Sequence, residues 1–377
     1  MARGSIMKNN KYIKYLRWVI LGFFLIAVTR EAYLHQVLGG GVSPSIHALC
    51  PYGALETFYS LIFTGTFIQK IFSGTMILLG ITLVLVIIFR RSFCGLICPF
   101  GALQEFFALI GRKIFHKRFI MPARIDKPLR YLKYVVLVVT IYFAWKTAGL
   151  WMDPYDPWAA YGHITAGYES LITEYLIGTI TLVIILVGSM LYDRFFCKYL
   201  CPMGAVYGIV SKISPSKIVR DKDKCINCNI CSNSCPMNID VAKADKVTDI
   251  ECISCQACVL SCPKAGALEY KTGEKTLKTL TVIIIVVGLF GAGVFISKTV
   301  GIFQVTQPKV TAESEINVDD IKGYMTIKDV SIGTKIELKE VYKKLGIPET
   351  VQEDTKLKEV SNFVEGFEVD VAKEKLK

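Results

Sequence analysis

The stretch from Lys224 to Pro263, KCINCNICSNSCPMNIDVAKADKVTDIECISCQACVLSCP, constrains the fold more than any other part of the chain. It holds Cys225, Cys228, Cys231 and Cys235 before Pro236, then Cys252, Cys255, Cys258 and Cys262 before Pro263. Each half is a C-x2-C-x2-C-x3-C-P run, the spacing that wraps three thiolates around one [4Fe-4S] cube and sends the fourth to the neighbouring cube. Cluster A is thus expected on Cys225, Cys228, Cys231 and Cys262, and cluster B on Cys252, Cys255, Cys258 and Cys235. Zinc sites usually lack the third close cysteine and the Cys-Pro ending, and a reducing compartment would not keep disulfides. Both fit the pattern less well.

Over its whole length this segment resembles the bacterial two-cluster ferredoxins. The rest of the chain is unlike a soluble carrier. Of 377 residues 52% are hydrophobic, and mean hydropathy is +0.43. Five apolar runs approach the length that ~30 Å of hydrocarbon demands: Tyr12 to Val28, Ile71 to Phe89, Tyr131 to Leu150, Tyr175 to Leu191 and Leu277 to Ile296. The first follows Lys11, Lys14 and Arg17 but has no small-residue cleavage site after it, so it reads as a retained helix ending near Arg30 and Glu31, behind an unstructured start, Met1 to Asn10.

The net charge of +12 does not point to nucleic acid once its distribution is considered. Basic residues gather at the N-terminus, around the cysteine-rich segment and in the loop after the second run, which carries Arg90, Arg91, Arg112, Lys113, Lys117, Arg118, Arg124, Lys127 and Arg130. The loop after the third run has Asp153, Asp156, Glu169 and Glu174 but no Lys or Arg. By the positive-inside rule the N-terminus and the cysteine-rich segment are cytoplasmic, and five spans leave the C-terminal tail outside.

A second pattern repeats. Cys50-Pro-Tyr-Gly-Ala-Leu, Cys98-Pro-Phe-Gly-Ala-Leu and Cys201-Pro-Met-Gly-Ala-Val are three copies of C-P-x-G-A-[LV], an internal repeat of the membrane part. The last two carry another cysteine four residues earlier, Cys94 and Cys197, so each ends like a ferredoxin run. One copy offers two thiolates on a helical turn; together Cys94, Cys98, Cys197 and Cys201 supply four, enough for a shared third cluster at the cytoplasmic rim. Free or redox-sensing thiols are the alternative.

Paired C-x3-C-P motifs at membrane edges followed by a two-cluster ferredoxin segment resemble the membrane iron-sulfur proteins of the NapH, NosR and MauN type, over about residues 71 to 270. The resemblance implies electron transfer linked to the quinone pool or to an acceptor outside the membrane, sometimes in service of another enzyme's maturation. The chain lacks the long N-terminal flavin domain of the NosR pattern, and it has a helix and a tail that many NapH-like proteins lack.

Cys50 stands apart, since Ile46 replaces the first cysteine of its copy. A lone thiol cannot hold a cubane, so Cys50 reads as a retained structural turn or as a weak iron contact at an outer exit site, with His35, His47 or His163 nearby. Four histidines, with His116 in an inner loop, are a poor supply of axial ligands for transmembrane haem. No P-loop, dinucleotide fingerprint or nucleophile motif is evident. After Gln307-Pro308 the tail is rich in Glu and Lys. Helix signals appear at Thr326, over Lys335 to Leu345 closed by Gly346 and Pro348, and over Asp370 to Leu376, so it reads as a small docking domain or a solvated tail.

The expectation is therefore a mainly α, polytopic protein of about five transmembrane helices. Residues 1–220 form a four-helix membrane domain, 221–270 a cytoplasmic ferredoxin-like insert, 271–300 the fifth helix and 301–377 a small extracytoplasmic helical domain. Its expected role is electron transfer in the cytoplasmic membrane of a prokaryote, between a cytoplasmic donor and a quinone or an extracytoplasmic partner, as a subunit of an oxidoreductase system. The alternative is a redox-sensing or metal-centre biogenesis protein. An ion-pumping subunit fits less well, because intramembrane carboxylates and lysines are scarce.

Overall fold

The computed structural model describes residues 2–38, 42–64, 71–147, 150–306, 318, 321, 323, 325–348, 350–360, 363–364, 367 and 369–376. The fold is mostly helical and falls into two compact units: residues 1–37 with 43–306, and residues 307–377 with 38–42.

In the first unit α1 runs from Ala2 to Leu38. It starts well before the expected ordered region and passes beyond Arg30 and Glu31, which pair side by side at 2.6 Å. No proline interrupts the sequence from Met1 to Leu38, so nothing stops the helix at either expected boundary. There follow α2 (Pro51–Thr64), α3 (Ser73–Phe89), α4 (Ser92–Leu96), α5 (Pro99–Phe115), α6 (Ala123–Leu129), α7 (Leu132–Thr147), α8 (Pro157–His163), α9 (Tyr168–Thr173), α10 (Leu176–Leu191), α11 (Phe195–Tyr199) and α12 (Pro202–Val210). After the cysteine-rich segment, α15 spans Thr279–Thr299. All five apolar runs lie mainly in helices. Three stretches, Asn10–Leu38, Ala123–Thr147 and Thr279–Thr299, are long and apolar enough to cross a membrane, whereas α3 and α10 are shorter. At about 1.5 Å per residue, their 17 and 16 residues reach roughly 25 Å.

The shortness of α3 and α10 has a structural counterpart. After each the chain reverses, at Arg90 (φ 57°) and Arg194 (φ 56°), and a five-residue helix, α4 or α11, turns back among the helices. Positive φ at a residue with a Cβ is uncommon, and it occurs at both turns, one position earlier in the first copy than in the second.

The segment between α12 and α15 is built on a four-stranded antiparallel sheet that the sequence reading did not anticipate. Its strands β1 (Ser216–Arg220), β2 (Lys246–Val247), β3 (Leu268–Thr272) and β4 (Lys275–Leu277) are ordered β2-β1-β3-β4. Ile218 faces both Val247 and Tyr270 across the sheet, and these three side chains are buried. The short helices α13 (Ile230–Asn233) and α14 (Ala257–Ser261) carry the third cysteine of each run.

The second unit holds α16 (Ile327–Thr334), α17 (Leu338–Leu345), α18 (Leu357–Val360) and α19 (Val369–Leu376). Thr326 and Asp329 form a capping box, and Gly346 ends α17 in left-handed backbone, the two signals legible in the sequence. Its core includes Ile327, Val330, Val341, Leu345, Leu357, Val360, Ala372 and Leu376. The segments TIKDV and TKLKEV meet across a bridge between Thr326 and Lys356.

Candidate iron-sulfur sites

The two cysteine runs adopt one local structure twice. Asn227 and Asn229 in the first, and Ser254 and Gln256 in the second, all take positive φ. Successive reversals of this kind turn backbone N–H groups inward and suit an anionic centre. One cavity is lined by Cys225, Cys228, Cys231 and Cys262, a second by Cys235, Cys252, Cys255 and Cys258. These are the two groups into which the spacing divides the eight residues. They differ in exposure: Cys228 is exposed, whereas all four around the second cavity are buried. Burial pushes the Cys235 thiol up to about 12, and the neighbouring thiol of Cys255 adds to the rise.

Cys94 and Cys98 do not share one continuous helical turn, as the sequence reading had it. Cys94 lies in α4, and Cys98 is the N-cap of α5, with Pro99 at its first position. Proline has no N–H and cannot extend the preceding helix, but it suits the start of the next. The second copy repeats the backbone hydrogen bond at this junction. Cys98 N donates to Phe93 O at 2.9 Å, and Cys201 N donates to Phe196 O at 2.9 Å.

The four thiols are brought together. Cys98 lies within electrostatic reach of Cys94 and Cys197, and Cys201 of all three others. Cys197 is buried and the other three are half-buried. Tyr207, close to Cys94 and Cys98, donates its hydroxyl proton to Thr82 at 2.5 Å, midway along α3. Phe100, two residues after Cys98, packs at 5.0 Å against both Phe196 and Trp158.

The glycine of C-P-x-G now has a physical reason. A Cβ on Gly204 would come within 2.9 Å of Arg91 Nη2, and one on Gly101 would strike the guanidinium of Arg194. Each arginine stands three residues before the first cysteine of one copy and lies over the glycine of the other. Both are fully buried. Arg194 pairs with Glu105 at 2.6 Å and donates to Cys94 O at 2.6 Å. Arg91 pairs with Glu251 at 3.2 Å, yet its Nε and Nη2 have no hydrogen-bond partner among the described residues. Gln104 Nε2 donates to Cys197 Sγ at 3.2 Å, and Gly204 N donates to Cys201 Sγ at 3.2 Å. Four thiols, two buried guanidiniums, unfilled N–H donors and two helix N-termini form a donor set that fits an anionic iron-sulfur centre. Among the described residues no three His, Cys, Asp or Glu side chains converge as for a single metal ion; a cubane separates its thiolates around a core several atoms across.

The sequence gives no site role to Arg17, Gln104, Glu105, Lys133 or Glu251. Their types carry no motif, and their partners are distant in the chain. Arg17 on α1 joins Glu105 at 2.6 Å and donates to Gly95 O at 3.1 Å. Glu251 is also held by Lys133. Burial opposes ionisation of Glu251, but Arg91 and Lys133 together keep its carboxyl below the ordinary range.

The second cavity and the four-thiol group are neighbours. A Cβ on Gly95, between Cys94 and Cys98, would strike Ile253 O and meet Cys255 at 3.0 Å. Arg90 donates to Thr248 O at 3.0 Å and Asp249 O at 2.7 Å, and Arg130 to Met237 O at 2.9 Å. Basic residues of the positive loop thus grip the backbone between Cys235 and Cys252.

At the other side of the bundle Cys50 lies near Tyr207 but outside the group of four; its charged neighbours are Asp156 and Glu56. Ile71 occupies the place over Gly53 that an arginine takes in the other copies. This third copy therefore lacks both the second cysteine and the counter-charge. His35, His47 and His163 line one small cavity near Ile46, and His47 Nε2 meets Asp153 Oδ1 at 2.6 Å.

Sites of this composition on a helical membrane scaffold define a class, the polyferredoxin-like membrane iron-sulfur electron-transport proteins, and the chain belongs to it. The 4Fe-4S binding domain family matches residues 71–118 and 176–221, once on each C-x3-C-P copy, and the 4Fe-4S dicluster domain family matches residues 217–263. The putative electron transport protein YccM of Escherichia coli is 30% identical over 53% of the chain and 56% of its own length. The chain thus spans a little over half of that relative. The uncharacterised protein MJ0749 of Methanocaldococcus jannaschii is 32% identical over 54% of the chain and 74% of its own length. The ferredoxin-type protein NapH of Haemophilus influenzae is 29% identical over 39% of the chain and 47% of its own length. No solved structure matches the chain.

Proposed function

We propose that this protein carries electrons from a cytoplasmic reductant into the membrane and on to a quinone or an extracytoplasmic partner. Cys225, Cys228, Cys231 and Cys262 hold the first [4Fe-4S] cluster, Cys252, Cys255, Cys258 and Cys235 the second, and Cys94, Cys98, Cys197 and Cys201 a third. The observation that carries this reading is the packing of Gly95, inside the first C-x3-C copy, against Ile253 and Cys255. It sets two cysteine groups back to back with no solvent layer between them.

Iron-sulfur clusters at these positions would supply one-electron chemistry over a wide range of potential. The protein's own residues do the rest. The exposed rim at Cys228 admits a soluble donor, and the buried walls around Cys235, Cys252, Cys255 and Cys258 exclude water and oxidants. Arg91, Arg194, Gln104 and Gly204 N direct positive charge or N–H groups at the four inner thiols, which favours a more negative, reduced centre. In this reading the positive-inside rule favours a cytoplasmic N-terminus and cysteine-rich segment, with the tail outside.

Anaerobic purification in detergent with iron and sulfide counting tests the reading. Iron should exceed the eight atoms of two cubanes by about four. Changing Cys94, Cys98, Cys197 and Cys201 together to Ser should remove that excess and block transfer to membrane acceptors while the other EPR signals persist. A preparation with eight irons and four alkylatable thiols at these positions would sink the third cluster.

A further inference from the structure

An open cleft of the first unit, about 750 Å³ with its mouth included, has no cysteine in its lining. Its walls are α1, α5, α14 and the chain around Cys235. Lys14, Arg17, Arg112 and Arg118 line it against only two acids, Glu105 and Asp193. Those acids are already committed. Glu105 pairs with Arg17 and also with Arg194, while Asp193 pairs with Arg112 at 2.7 Å and with Arg118 at 2.6 Å. Lys14 bonds a neutral hydroxyl, Ser261 Oγ, at 3.1 Å. The cleft therefore carries an excess of cation that its own acids do not cancel.

Its rim is apolar. Trp18 and Leu109 line it beside the charges, Leu109 is exposed, and the neighbouring surface of α5 exposes Phe106. Lys14 lies near the start of the spanning stretch of α1, Asn10–Leu38, close to the level at which headgroups meet a spanning helix. Cation beside exposed apolar surface at that level asks for a ligand with an anionic head and a hydrocarbon body.

We propose that this cleft holds the phosphate headgroup of an anionic phospholipid, its acyl chains lying along the exposed faces of α1 and α5. The proposal rests on the membrane reading of α1. A bound headgroup would bridge Lys14 and Arg112 and so tie α1 to α5 directly above Pro236 and Ala257, next to residues assigned to the second cluster. The lipid would then act as a brace for the cysteine-rich segment against the helices.

The test uses full-length protein purified anaerobically in non-ionic detergent, with visible absorbance of the iron-sulfur centres as the control for folding. Thermal midpoints are measured after adding phosphatidylglycerol, phosphatidylcholine or inorganic phosphate. Phosphatidylglycerol should raise the midpoint with at least tenfold tighter apparent affinity than phosphatidylcholine. The double variant Lys14→Gln, Arg112→Gln should lose that preference with its absorbance unchanged. An equal response to both lipids, or an unaltered preference in the double variant, overturns the proposal. Saturation by inorganic phosphate alone overturns the lipid assignment in favour of a soluble anion. Recovery of the protein without detergent would instead overturn the membrane reading itself.

Discussion

Arg91 lies over Gly204, the glycine of the turn that follows the other arginine's motif. Arg194 does the same over Gly101, so the two C-x3-C-P copies are interlocked by their cations. With a cluster between them, each guanidinium lowers the cost of adding an electron.

Replacing Arg91 by Gln should make the inner centre harder to reduce, shifting its potential negatively by on the order of 60 mV, the equivalent of about 1.4 kcal/mol for one electron. Lys at the same position should restore part of the shift. Potentiometric EPR of the inner signal reads this, with the signals of the other clusters as internal reference. An unchanged potential in Arg91→Gln would show that the guanidinium does not face the centre.

Gly95→Ala should separate the second cavity from the inner thiols, because its Cβ would meet backbone, not a mobile side-chain end. The expected result is electron transfer to membrane acceptors slowed at least tenfold with all iron retained. Gly22→Ala and Gly288→Ala, where nothing lies within 4 Å of a new Cβ, should leave transfer unaltered. Stopped-flow reduction of the separate signals distinguishes these cases.

Cys235→Ser should damage the cluster of the later run, and Cys262→Ser that of the earlier one, since each thiol lines the cavity built by the opposite run. Spectra in which Cys235→Ser disturbs the centre held by Cys225, Cys228 and Cys231 would exclude the crossed assignment.

Glu56 provides a pH signature. Burial pushes its carboxyl up to about 8 from 4.5; His47 pulls it down, and Asp156 and Asp153 add to the rise. A carboxyl with a raised folded value binds more protons when folded, so its contribution to stability falls as pH climbs from about 4.5 to about 8. The slope is at most about 1.4 kcal/mol per pH unit. Glu56→Gln should flatten this decline in thermal midpoint and raise the midpoint at pH 8. Parallel profiles for variant and parent would remove Glu56 from the account.

Protease added to intact cells or right-side-out vesicles should cut between Gln307 and Lys377 and spare Cys225 to Cys262. Protection of the tail would contradict the proposed orientation.

Much of this was legible because some residues speak locally. Cysteine spacing divided the eight ferredoxin-type thiols into the two groups that line the two cavities, and Thr326 and Gly346 marked helix ends through their own backbone chemistry. The reversals at Arg90 and Arg194 were not legible. In sequence FRRSF and YDRFF read only as basic helix ends, and nothing local says that an arginine will take positive φ and reverse the chain there. The sheet was missed because β2 and β4 are two and three residues long, too short to show a period. The Arg17–Glu105–Arg194 cluster joins α1, α5 and the start of α11, and no window along the chain contains all three.

The grip of Arg90 and Arg130 on the backbone between Cys235 and Cys252 has a kinetic meaning. A ferredoxin on a free tether must find its acceptor anew at each turnover, and its rate depends on tether length and on salt. Here the segment is held in one pose, so transfer inward would be a first-order process that dilution and ionic strength leave untouched. Only the encounter at the exposed side of Cys228 would remain bimolecular, and selection among soluble donors would fall to that surface alone.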